Sequence, residues 1–157
     1  MAIERARAHL RQYGMDGRIL EFETSSATVE LAAQAAGVIP ARIAKSLSFM
    51  TPDGPMLVVT AGDMKIDNPK FKAQFHTKAK MLGHDEVEAL IGHDVGGVCP
   101  FGINEGVMTW LDQSMRRFDT VFPACGSANS AIELSCDELE RVAQHVQGWV
   151  DVCKPMG

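Results

Sequence analysis

Residues 96–102 read GGVCPFG, and three kinds of chemistry or structure are open to that stretch. Cys99 is a candidate nucleophile, with His93 or His84 as the base that would take its proton. Nothing nearby in the sequence fixes the tautomer of either histidine. No local signature of a cysteine hydrolase surrounds Cys99, and a free cysteine also serves as a small buried hydrophobe. The second possibility is the backbone itself. Gly96 and Gly97 permit positive φ and close approach of a ligand. Pro100 stiffens the loop and removes one donor. The remaining N–H groups would then be held in fixed directions, able to grip a carbonyl or a water without a side-chain nucleophile. The third is a tight turn, which glycine and proline explain equally well. Composition leaves all three open. The stretch matches neither GxxxxGK[ST] nor GxGxxG, and no acidic cluster offers magnesium a site, so nucleotide hydrolysis is unsupported.

Lys45 is the other residue with chemical promise. It follows the apolar run VIPARIA and opens KSLSFM, whose alternation predicts a half-buried strand with Lys45, Leu47 and Phe49 on one face. A lysine there snorkels to solvent or points its ammonium into a pocket, where it pairs a phosphate as a compact point charge. Five of the seven lysines, Lys65, Lys70, Lys72, Lys78 and Lys80, fall within residues 65–80. They form either a solvated surface or a local phosphate-contacting patch on an acidic body. The net charge of −5 excludes a wholly basic nucleic-acid-binding face. Cys99, Cys125, Cys136 and Cys153 form no CxxC pair, so no structural zinc site and no metal cofactor is expected. Reduced thiols and the absence of an apolar signal segment predict a cytoplasmic protein, with neither membrane nor DNA as partner.

The elements that must position these groups alternate along the chain. At 157 residues and 46% apolar content, residues 1–157 are read as one domain with a sizeable core. A helix is predicted over Ile3–Tyr13, a short strand over Arg18–Glu23, and a helix through VELAAQAAG with Ser25, Ser26 or Thr28 as its cap and Gly37 as its stop. Pro40 opens a short helical turn. KSLSFM and MLVVTAG form a hairpin around TPDGP. Asn68 caps a helix through PKFKAQF, and another helix spans His84–Ile91. Strands follow at VMTWLD, at Thr120–Pro123 and after the Gly126-Ser127 turn. Ser135 and Glu138 form a capping box ahead of a last helix through LERVAQHVQGW. Several strand pairs are joined too tightly for parallel crossovers. The fold class is therefore α+β, a single domain with a mixed, mostly antiparallel sheet.

Taken in order, STVELAAQAAGV-like residues 26–38, IAKSLSF (43–49), AGDMKIDNPKFK (61–72), GHDVGGVCPFG (92–102) and PACGSANSAIELS (123–135) resemble the YbaK/EbsC family, the prolyl-tRNA synthetase-associated domain. The likeness runs from about residue 20 to 150. It implies a barrel-like mixed sheet wrapped by helices. It also implies hydrolysis of the ester linking a wrong amino acid to tRNA, chiefly tRNAPro, by a free-standing trans-editing deacylase. Carried over by position, Lys45 engages the phosphate of the terminal adenosine. The backbone of Gly96 and Gly97, in the GxxxP loop, places the carbonyl or the water. Ser46, Val98, Cys99, Pro100, Phe101, Gly126 and Ser127 contribute to the substrate pocket. Ser46 stands where relatives often carry threonine or asparagine. Ala131 stands where the YbaK branch carries an aspartate, a departure that weakens a cysteine-specific expectation. Lys65, Lys70 and Lys72 are the expected contacts to the CCA end of the tRNA, and prolyl-tRNA synthetase is the other implied partner.

Overall fold

A computed structural model describes residues 2–156. In chain order the elements are α1 (Ala2–Arg11), β1 (Ile19–Glu21), α2 (Val29–Ala36), β2 (Ile43–Thr51), β3 (Gly54–Ala61), β4 (Met64–Ile66), α3 (Asn68–Phe75), α4 (Val87–Ile91), β5 (Met108–Asp112), β6 (Thr120–Pro123), β7 (Ser130–Ile132), β8 (Leu134–Ser135), α5 (Cys136–Val142), β9 (Val146–Val150) and β10 (Cys153–Pro155). Short 3-10 turns at Asp16–Arg18, Pro40–Arg42 and Gln113–Arg117 join some of them. No helix among the described residues is long and apolar enough to cross a membrane.

Six strands form one mixed sheet, curled into a half-barrel, in the order β8-β6-β2-β3-β5-β9. Two small antiparallel pairs, β1-β7 and β4-β10, complete the strand set. Four of the seven pairings are antiparallel, although parallel ones make up three of the five in the large sheet. The β2-β3 hairpin is central. Its register sets Ala44, Ser46 and Ser48 against Ala61, Val59 and Leu57 on one face, and Lys45, Leu47 and Phe49 against Thr60, Val58 and Met56 on the other. Both faces of β3 are buried, which is why MLVV reads as an unbroken apolar run. The first face packs on Leu10, Leu111, Phe101 and Leu139, with a neighbouring cluster of Leu57, Val87 and Ile91. The second packs on Phe71 of α3 and on Val150 and Val152. Phe71 packs against Phe49 and Phe75 in tilted pairs with ring centroids 5.1 and 4.7 Å apart. Each such pair adds about 0.5–1.5 kcal/mol to area burial, so α3 is anchored on the face to which Lys45 belongs.

Local signals account for most element ends. Thr28 Oγ1 accepts from Leu31 N at 3.2 Å to cap α2, and Gly37 ends it at φ 73°. Ser135 and Glu138 form both halves of their capping box. Asp67 rather than Asn68 caps α3, accepting from Lys70 N at 3.1 Å, so the helix starts one residue earlier in its signal. The predicted helix over His84–Ile91 shortens to α4. The last helix also departs from expectation. It ends at Val142, where Ala143 is extended and His145 takes a positive φ of 57°, and VQGWV becomes β9 beside β5. Pairing with a buried sheet edge outweighs the helical spacing of those residues. The short edge strands β4 and β10 carry no independent signal in the sequence.

Candidate active-site cleft

The cleft arises from a gap beside β2. Strand β6 accompanies β2 only at Ile43 and Ala44. The chain returns to it at Phe49, where Met81 bridges across; Met50 N donates to Lys80 O at 2.9 Å and Leu82 N to Ser48 O at 3.1 Å. Between these contacts Lys45–Ser48 run along an open cleft of about 360 Å³. Its other walls are the Ser26–Val29 entry to α2, the Gly96–Val98 loop and Ser130–Ala131 of β7. Ala32, Ile43 and Phe122 form an apolar floor. Met81, His84 and Val95 stand at the mouth.

Lys45 is half-buried and donates to Gly62 O at 3.4 Å and to Met64 O. Among the described residues no carboxylate forms an ion pair with it. Desolvation pushes its pKa down, opposed by the charges of Asp63 and Glu30. Its ammonium is held by two carbonyls and the Met156 sulfur with no carboxylate in contact, which leaves it able to pair an anion such as phosphate. No carboxylate among the described residues lines the cleft either. Ala131 does line it.

The glycine loop is built from backbone contacts. Gly96 has φ +94°, and the space where a side chain would stand lies 3.4 and 3.5 Å from the methyls of Ala27 and Ala128. Gly97 is not in the left-handed region. A Cβ there would sit 2.6 Å from both Gly126 C and Ser127 N. The loop therefore lies main chain against main chain on the Gly126-Ser127 turn, itself opened by φ +91° at Gly126. Gly96 and Val98 line the cleft; Gly97 faces the turn behind it.

The structure does not bring every anticipated residue to the cleft. Cys99 and Phe101 are fully buried in the main core, beneath the loop rather than in its surface. The alternation of side chains from Val98 to Cys99 puts them on opposite sides, and the thiol falls inward. Pro100 is also buried, its carbonyl accepting from Gln144 N at 2.8 Å. Gly126 supports the loop from behind. Ser127 Oγ donates to Asn129 Oδ1 at 2.9 Å and lies 2.7 Å from Ser130 Oγ, so the turn presents Ser130 to the cleft. Lys65 follows Met64 on β4 and pairs in register with Lys154. Lys70 is held by Asp151 at 3.1 Å and by Cys153 O at 3.3 Å. Lys72 stands on α3 and shares a separate surface hollow with Lys78, outside the cleft.

The cysteine nucleophile fails on geometry and on proton position. Cys99 Sγ is 3.5 Å from His93 Nε2, yet that nitrogen is 2.6 Å from Phe101 O. A carbonyl only accepts, so Nε2 carries the proton and has no lone pair for the thiol. Burial lowers the His93 pKa and pushes the Cys99 thiol up to about 12. The pair is a neutral part of the core.

Two residues of the cleft wall, Ser26 and Ser46, carry buried hydroxyls with no hydrogen-bond partner. Ser46 was legible as a neighbour of Lys45. Ser26 was legible only as one of three possible caps. Thr28 takes that role alone, which leaves the Ser26 hydroxyl free.

The aminoacyl-tRNA editing domain model matches residues 23–142. The chain is similar to the uncharacterized protein YwhH of Bacillus subtilis, 51% identical over 155 residues and covering 98% of each chain. It is 28% identical over 114 residues to EbsC of Enterococcus faecalis, named as a candidate Cys-tRNA(Pro)/Cys-tRNA(Cys) deacylase, covering 71% of this chain and 70% of that one. A crystal structure described as a candidate trans-editing enzyme for prolyl tRNA synthetase superposes with a TM-score of 0.85 at 26% identity, over 98% of this chain and 97% of its own. Likeness in sequence and in backbone extends across the elements that enclose the cleft, and the chain belongs to the YbaK/EbsC family of aminoacyl-tRNA editing domains.

Proposed function

We propose that the protein is a trans-editing deacylase that hydrolyses the ester of mischarged tRNA, with tRNAPro carrying cysteine, alanine or a similarly small amino acid as substrate. The observation that carries this reading is the shared cleft: Lys45, whose ammonium has no carboxylate partner among the described residues, on one wall and a rigid glycine loop on another. Lys45 would take the phosphate of the terminal adenosine. The Gly96–Val98 backbone would hold the ester carbonyl or the attacking water. The apolar floor limits the size of the amino-acid side chain.

The chemistry suits these parts. An aminoacyl ester is already activated, so positioning and oxyanion stabilisation can supply most of the acceleration. One well-aimed donor contributes about 10²- to 10³-fold, and fixing the nucleophile near the carbonyl adds an entropic share. In a cysteine substrate the substrate's own thiol could attack. The acidic total charge is compatible with a ligand met only at its CCA end, with Lys65, Lys70 and Lys72 as flanking contacts. Prolyl-tRNA synthetase is the implied partner, in the cytoplasm.

The test is release of each amino acid from a panel of mischarged tRNAPro substrates, by wild type and by Lys45→Ala. Wild type is expected to release a small amino acid, and Lys45→Ala to retain the fold and lose the activity. Protection of every ester by bound protein would instead identify a non-catalytic aminoacyl-tRNA binding module and end the proposal.

A further inference from the structure

We infer that Arg117 keeps Lys45 available to its anionic ligand by occupying the carboxylate of Asp63. The inference rests on the reading of Lys45 as the group that meets the substrate. Both carbonyls that hold the lysine, Gly62 O and Met64 O, flank Asp63 in the turn from β3 to β4. The groups acting on the lysine are Asp63, Glu30 and Cys153. Cys153 is buried with its thiol pushed up to about 12, so it is neutral at physiological pH. Glu30 is exposed on α2. Asp63 therefore sits as the acid in the lysine's own cradle, the natural competitor for its charge.

Arg117 removes that competitor. Its two terminal nitrogens reach the Asp63 oxygens at 2.6 and 3.1 Å, the fork that matches a carboxylate. Its Nε donates to Ser114 O at 2.7 Å, within the 3-10 turn after β5. Ser114 Oγ in turn lies 3.0 Å from Thr60 Oγ1 and accepts from Ala61 N at 3.3 Å. The guanidinium is thus aimed from an element tied to β3 itself.

The ion pair is not needed to hold the turn. Gly62 has no room for a Cβ, which would meet Pro40 O and, at 2.7 Å, Val29 Cγ1. Met156 N donates to Asp63 O at 3.1 Å, and β10 pairs along β4. With the backbone restrained on these sides, what Arg117 chiefly controls is where the Asp63 carboxylate points. Without it the carboxylate is free to turn onto the ammonium, closing an internal ion pair that the substrate phosphate must displace.

The experiment compares Arg117→Met with the double variant Asp63→Asn/Arg117→Met, and Arg117→Lys as the variant that keeps the charge. KM for mischarged tRNA is expected to rise about three- to fivefold in Arg117→Met, as for capture in one part-exposed ion pair, with little change in kcat. It should return to near wild type in the double variant and stay near it in Arg117→Lys. The second readout is the Lys45 side-chain titration by NMR, independent of turnover. The Lys45 pKa should rise by about one unit in Arg117→Met and fall back in the double variant. A double variant as impaired as Arg117→Met, or a lysine titration that Arg117→Met leaves unmoved, would overturn the inference. Full activity in Lys45→Ala would defeat the functional reading instead, while the NMR titration still decides the role of Arg117.

Discussion

Adding one methyl group to Gly97 tests the idea that main-chain packing sets the catalytic geometry. A Cβ at Gly97 lies 2.6 Å from Gly126 C, 2.6 Å from Ser127 N and 2.8 Å from Gly126 O. All three are backbone atoms, so no side chain can swing aside. Ordinary contact begins near 3.4 Å, so the glycine loop and the turn behind it must separate by roughly 0.8 Å. Overpacking of this kind costs about 1–3 kcal/mol, or about 2–12 °C in Tm for a domain of this size. Displacement on the scale of 1 Å at a reacting centre costs about 10²-fold in rate. Gly96→Ala is the internal comparison. Its nearest neighbours would be the methyls of Ala27 and Ala128 at 3.4 and 3.5 Å and Ala27 Cα at 3.7 Å, all in ordinary contact, so its penalty is the strain of φ +94°, about 1–3 kcal/mol. Both variants should lose stability to a similar degree. Gly97→Ala should lose about 10²-fold in kcat for deacylation of mischarged tRNA, assayed well below either Tm, and Gly96→Ala should lose less. If Gly97→Ala deacylates at the wild-type rate while folded, the loop's register on Gly126 does not control the chemistry and the reasoning fails.

Other expectations follow from the same geometry. Cys99→Ala should keep deacylation at the wild-type level, because the thiol is buried below the cleft, and iodoacetamide should leave Cys99 unlabelled in the native protein at neutral pH; mass spectrometry of the alkylated protein checks this. Arg18, and then the Ser135 backbone, hold the Glu138 carboxyl at about 2, below its ordinary 4.5. The stabilisation from Glu138 is therefore complete above pH 4.5 and is lost as pH falls toward 2. Ser135→Ala should lower stability by about 1 kcal/mol, and Arg18→Met should flatten the loss of Tm across that acid window in thermal melts. Binding of uncharged tRNAPro should weaken with salt along a log–log slope of only about −1.4 to −2.1, the value for two or three single-strand phosphates; a slope several times steeper would mean that the body of the tRNA is gripped as well.

The reach of local signals can be traced residue by residue. Alternation in KSLSFM placed Lys45 with Leu47 and Phe49, and the register of β2 on β3 has that parity. Gly37 and the Ser135–Glu138 box mark helix ends because their effects act within one turn of chain. The helical spacing of LERVAQHVQGW misleads beyond Val142, since the partner that turns Val146–Val150 into a strand, β5, lies more than thirty residues away. The same limit hides β4 and β10. The structure brings Lys45, Ser46, Gly96 and Val98 to one cleft, while Cys99, Pro100 and Phe101 lie in the core.

By itself the sequence determined the residue types, the strand parity of Lys45 and a glycine-rich loop freed from side-chain bulk. These are properties of single positions or near neighbours. Only the tertiary structure decided that β6 leaves β2 after Ala44 to open a cleft, that Gly97 is small for the sake of Gly126, and that Arg117 holds the acid beside the lysine. Each depends on distances between segments far apart in the chain, which no local pattern of residues encodes.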